Sequence, residues 1–141
     1  MKHFVCAFAM LFMAAAAAVC ATFDVNVGPG LGFTPNSVTI AQGDTVRWVW
    51  QGALHSSTSD ASTGPEVWNS GLLSTGTFSH TFATVGDWPY YCSLHSVPGG
   101  TAMNGVVHVT AAATPTPTLS TTLLLLLIAA LAITGFAAMR H

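Results

Sequence analysis

Gly86-Asp87-Trp88-Pro89-Tyr90-Tyr91-Cys92-Ser93-Leu94-His95 is the stretch on which the fold turns. A Gly-Asp turn opens it, bulky β-prone residues carry it forward, and a thiol three positions from an imidazole ends it. Thr45-Val46-Arg47-Trp48-Val49-Trp50 lies upstream, with Val46, Trp48 and Trp50 on one strand face. Phe23-Asp24-Val25-Asn26-Val27 alternates as a half-buried strand does. Residues 33–40 form a further run, in which Pro35 predicts an edge or a bend. Residues 77–82 place Phe78, His80 and Phe82 on one side, and residues 105–110 close the set. Residues 56–76 are rich in Ser, Thr, Gly and Asp and predict a long irregular crossing with a short strand near Val67-Trp68. Short strands separated by Gly, Pro and Asp turns predict an all-β sandwich.

The two ends differ from this middle. Met1-Lys2-His3 and an apolar run over residues 4–19 form a basic start and a hydrophobic stretch, and Val19-Cys20-Ala21 supplies small residues before Thr22. That is a secretory leader over residues 1–21, short for a spanning helix. A lipidated Cys20 is disfavoured by Val19 before it. Residues 111–122 are a Pro/Thr/Ala linker, and residues 123–141 an apolar helix ending in Arg140-His141. A helix apolar on every face calls for lipid, or for a much larger protein than this one. One domain remains, residues 22–110, with Asp24, Asp44, Asp60, Glu66 and Asp87 against Arg47. Charged residues make up 6% of the chain, and Lys plus Arg number three, which excludes nucleic-acid binding through a basic patch.

Loss of the leader removes Cys6 and Cys20, so Cys92 is the only thiol and Met103 the only thioether of the domain. A lone thiol in an oxidising compartment is buried and inert, a nucleophile, or occupied by a metal. His95 and Met103 fall within twelve residues of Cys92, counting both ends. Soft sulfur donors beside imidazole suit copper. A nucleophilic Cys-His pair would need an oxyanion site and a cleft, for which the sequence has no signal, and would leave Met103 without a role.

In order, Phe33-Thr34-Pro35-Asn36-Ser37-Val38-Thr39-Ile40, Gly43-Asp44-Thr45-Val46-Arg47-Trp48, His55, Gly86 to His95 and Met103-Asn104-Gly105-Val106-Val107 resemble the plastocyanin/azurin-like blue copper proteins, the cupredoxins. The resemblance implies a Greek-key β-sandwich of seven to eight strands holding one mononuclear type 1 copper ion. It implies His55, Cys92 and His95 as equatorial ligands and Met103 as the weak axial one. Two departures stand out. Seven residues separate His95 from Met103, where plastocyanins have four, and Ser56 stands where many relatives place Asn. His80 and His108 read as structural histidines, packed or partly exposed. Absence of a second domain cysteine excludes a dinuclear copper centre and covalent haem.

The function implied is transfer of single electrons between redox partners such as cytochromes or oxidases, by an exported, monomeric domain at the periplasm or cell surface. Its mild acidity would steer it weakly toward a basic partner. The alternatives are a copper-binding or storage module, and a surface interaction domain without redox turnover. Four protein ligands leave no open position for substrate, so no enzyme is implied. Pro117-Thr118-Leu119-Ser120 ahead of the apolar run resembles bacterial C-terminal sorting signals of the Pro-Thr-Leu-Ser kind, which implies membrane attachment or sorting through residues 123–141.

Overall fold

The computed structural model describes residues 20–113, together with Thr122, residues 124–126 and Ile128. The expected leader (residues 1–21), apart from its last two residues, and most of the expected linker and apolar helix lie outside this range. Among the described residues, no helix is long and apolar enough to cross a membrane.

Eight strands form two four-stranded sheets. The strands are β1 (Thr22–Val27), β2 (Phe33–Thr34), β3 (Ser37–Ala41), β4 (Thr45–Trp50), β5 (Thr58–Ser59), β6 (Thr77–Thr81), β7 (Gly86–Tyr91) and β8 (Asn104–Thr110). One sheet runs β2-β1-β4-β6 and the other β3-β8-β7-β5. Pairing is parallel between β1 and β4 and between β3 and β8, which is possible because each pair is joined through the opposite sheet. The run over residues 33–40 is therefore two strands. Its bend at Pro35 carries the chain from the first sheet to the second. Proline has no N–H for the ladder, so the change of sheet falls where pairing would be weakest.

The alternation in β4 is realised as read. Val46, Trp48 and Trp50 are buried, while Arg47 points outward and pairs with Asp24 across the β1–β4 register at 2.7 Å. Exposed as it is, that ion pair is screened by solvent and adds little to stability. The aromatic core matters more. Trp48 stacks on Trp68 at 5.4 Å and meets the edge of Tyr90 at 5.4 Å. Gly105 lies over the Tyr90 ring, where an added Cβ would come within 2.5 Å of the ring carbon and hydroxyl.

The polar crossing is more ordered than its composition predicts, and its strand lies elsewhere. Thr58 and Ser59, rather than Val67-Trp68, form the strand, pairing with Tyr91 and Tyr90 of β7. Trp68 packs in the core and donates its ring N–H to Ser57 Oγ at 3.0 Å, while its backbone N–H donates to Ser59 Oγ at 2.9 Å. Buried serine hydroxyls satisfy this backbone, so the segment can be both polar and internal. His80 stacks on Trp68 and bonds Glu66 at 2.8 Å, and His108 bonds Asp87 at 2.6 Å, so both have structural partners.

Candidate metal centre

Registers Val27↔Trp50, Val49↔Thr77 and Tyr91↔Asn104 bring the ends of β1, β4 and β7 and the starts of β6 and β8 to one end of the sandwich. The loops there carry the candidate ligands. His55 follows β4 and is 1% exposed. Its backbone exchanges both hydrogen bonds with Leu73, at 3.0 and 2.8 Å, and its carbonyl accepts the Trp50 ring N–H at 3.1 Å. Gly28 closes in behind the ring, where an added Cβ would lie 3.2 Å from His55 Cδ2 and 2.8 Å from the Gly52 carbonyl.

Cys92 is fully buried just past the end of β7. Its backbone N–H donates to the Met103 carbonyl at 3.0 Å, which closes the long loop and sets Met103 beside Cys92. The Cys92 carbonyl accepts from His95 N at 3.1 Å and Ser96 N at 2.8 Å, a tight turn that folds the His95 ring back over the thiol. Nδ1 of His55 and Nδ1 of His95 stand 3.1 Å apart, and Cys92 Sγ lies 3.8 Å from the first and 3.4 Å from the second. Three donor atoms thus converge, all within 4.8 Å of one another. Met103 is fully buried. Burial first, and the neighbouring His95 second, hold the His55 imidazole below its ordinary pKa, in the neutral form a metal ligand requires.

Ser56 answers the question its sequence position raised. Its backbone N–H donates to Cys92 Sγ at 3.3 Å. Its hydroxyl accepts the Ser93 backbone N–H at 2.9 Å and contacts the hydroxyls of Ser93 and Thr58, each at 2.9 Å. One buried residue thus ties the strand-end carrying His55 to the loop carrying Cys92. The extra residues between His95 and Met103 make their own turn, with Gly100 N donating to Val97 O at 2.9 Å and Asn104 Nδ2 to Gly100 O at 2.6 Å. Insertion therefore bulges outward and leaves both ends in place.

Ser93, Thr58 and Gly28 were missed in the sequence as contributors to the site. Gly28 is legible only as a turn residue, since its contact with His55 is made across 27 positions of chain. The acidic side chains lie away from the candidate ligands. Asp24, Glu66 and Asp87 each face Arg47, His80 or His108, while Asp44 and Asp60 are buried and hydrogen-bonded. The four loops of this end, residues 28–32, 51–57, 70–76 and 92–103, carry no Asp, Glu, Lys or Arg.

Comparison with known proteins gives the same answer as the geometry. The family model for copper binding proteins of the plastocyanin/azurin family matches residues 19–110. A mutant of amicyanin in its Cu(I) form superimposes with a TM-score of 0.52 at 22% identity, covering 63% of this chain and 82% of that one. A mutant plastocyanin of fern gives 0.53 at 23% identity, over 62% of this chain and 100% of that one. A copper-containing nitrite reductase from Thermus scotoductus gives 0.53 at 24% identity, with 67% of this chain matching 23% of that one. No curated protein matches the sequence closely enough to count as a relative. With the family model spanning the whole sandwich and its ligand-bearing loops, the chain belongs to the plastocyanin/azurin family of copper-binding proteins.

Proposed function

We propose that this domain is an exported carrier of single electrons, with copper held by His55, Cys92, His95 and Met103. The carrying observation is the convergence of two imidazole nitrogens and one thiol sulfur within 4.8 Å at a largely buried, uncharged end of the sandwich. Such a donor set fits copper, and fits no hard cation, which would seek oxygen ligands. A bound copper ion would supply a one-electron couple between Cu(II) and Cu(I).

The residues of the chain do the rest. Leu73 and Trp50 fix His55 from its main chain, and the Ser56 N–H holds Cys92 Sγ in place. Nδ1 is turned inward on both histidines, so a metal bound there would leave their ring protons on Nε2. A ligand set held this way in advance changes little between oxidation states, which keeps reorganisation small. His55 is sealed and His95 is half-buried, so the His95 ring is the route by which an electron leaves. Leu54, Leu94 and Val97 stand exposed near it as an apolar contact surface. Partners are redox proteins that dock there, such as cytochromes or oxidases. Attachment to a membrane or cell surface would come through residues 123–141.

Cu(II) added to the protein should give an intense visible sulfur-to-copper charge-transfer band, absent from Cys92→Ser. A colourless complex would overturn the blue-copper reading. Fast, reversible one-electron voltammetry supports the carrier, and slow exchange with ready copper release would make it a storage module.

A further inference from the structure

The end of the sandwich opposite the ligands holds a carboxylate without a countercharge. Asp44, in the turn between β3 and β4, is 7% exposed. Its Oδ2 accepts the Ala41 backbone N–H at 2.9 Å, and its Oδ1 accepts the Ala21 backbone nitrogen at 2.7 Å. Among the described residues, the ion pairs are Arg47–Asp24, His80–Glu66 and His108–Asp87, and none reaches Asp44. A buried carboxylate with amide partners alone is a costly arrangement. A cavity of about 220 Å³, lined by Cys20, Ala21 and Asp44 among others, leaves room beside the Ala21 nitrogen for a solvated charge.

Ala21 is also the first described residue whose backbone the sandwich holds. Its carbonyl accepts Thr45 N at 2.9 Å, continuing the β1–β4 ladder by one bond. Cys20 before it is exposed. Removal of Ala21 would leave Asp44 Oδ1 and the Thr45 N–H both without their partners.

We infer that the leader is cut between Cys20 and Ala21, and that Asp44 is the receptor for the new amino terminus. This rests on the export reading above, and moves the boundary one residue earlier than Thr22. A leader peptidase adds water across the Cys20–Ala21 peptide bond, leaving a carboxylate on Cys20 and an α-ammonium on Ala21. That ammonium forms on the atom already 2.7 Å from Asp44 Oδ1, and converts an amide contact into an ion pair. The small-residue rule is met by Ala18 and Cys20 three and one positions before this bond. It is met equally by Val19 and Ala21 for a cut before Thr22, so the fold makes the choice.

Two measurements test it on the full chain expressed in an exporting bacterial host. Intact mass and amino-terminal sequencing of the recovered protein should give Ala21 as the first residue. Thr22 as the first residue, or Cys20 with or without a lipid, would overturn the inference and leave export standing. A chain still starting at Met1 would overturn both. Lys2 is the only lysine of the sequence, so after cleavage the α-amine is the single primary amine of the protein. It should react with an amine-selective acylating reagent at neutral pH about tenfold more slowly than in Asp44→Asn, since its ion pair favours the unreactive ammonium. Equal rates in the two proteins would overturn the pairing. The sequencing result stands alone if Asp44→Asn does not fold.

Discussion

A methyl group added at Gly28 would meet the Gly52 carbonyl oxygen at 2.8 Å and His55 Cδ2 at 3.2 Å, on a backbone whose φ is +76°. Both contacts are with groups that cannot move aside cheaply, the first because it is main chain and the second because His55 is pinned by Leu73 and Trp50. Gly28→Ala is therefore expected to destabilise the protein by about 1–3 kcal/mol and to push the His55 ring toward Cys92. Copper should leave the variant faster in competition with a chelator. Gly30→Ala, two residues on, has nothing within 4 Å of the added carbon and should match the parent in both urea midpoint and copper release. Cys92, His95 and Met103 were legible because the only thiol and thioether of the domain fall beside an imidazole, while His55, one of four histidines in residues 22–110, was reached only through the family resemblance. Gly28 was not, because a glycine reports a turn and says nothing of what lies against it. Ser56 was half legible. Its place beside His55 raised the question, and only the fold put its hydroxyl against Ser93 and its amide against Cys92.

At the scale of elements, strands with apolar alternation were legible and the segment between β5 and β6 was not. β4 and β7 announce themselves through Trp, Val and Tyr at every second position. The crossing hides its order because buried serines replace apolar residues and spend their hydroxyls on neighbouring backbone. Glu66 is its main tether to the first sheet. Its carboxylate accepts Ala83 N at 2.8 Å and Thr84 N at 2.7 Å just after β6, and bonds His80 within β6 at 2.8 Å. Burial alone would raise the Glu66 carboxyl, but the bonds from His80, Thr84 and Ala83 outweigh it and hold it below its ordinary value of 4.5. The unfolded chain then takes up this proton first as the pH falls. Stability from Glu66 is complete above the ordinary glutamate range and is lost as the pH drops through the folded value. Glu66→Gln is expected to lower the urea midpoint at pH 7, and the gap to the parent should narrow at pH 3.5. A gap that stays constant across this range would mean that the charge of Glu66 contributes nothing.

Across the sandwich, the charged side chains keep away from the loops that carry the candidate ligands. Arg47–Asp24 and His108–Asp87 lie on the outer faces of the two sheets, while the loops around the ligands carry no Asp, Glu, Lys or Arg. Leu31, Leu54, Leu72, Leu94 and Val97 are exposed among those loops. Two molecules approaching through this end therefore meet neutral surface at contact and feel the charges of the outer faces only from a distance, where salt screens them. A carboxylate placed at position 97 changes this, because each partner then brings a like charge into the closing interface and must desolvate it. Electron self-exchange between Cu(I) and Cu(II) forms, followed by NMR line broadening, isolates the effect without a foreign partner. Val97→Asp should slow it at least about threefold at low ionic strength, with much of the rate recovered in high salt. Ser79→Asp adds the same charge on the exposed face of β6 and should leave the rate near that of the parent. Equal slowing by both substitutions would mean that net charge, rather than the neutral loop surface, governs the encounter. No slowing by Val97→Asp would move the electron's exit away from His95.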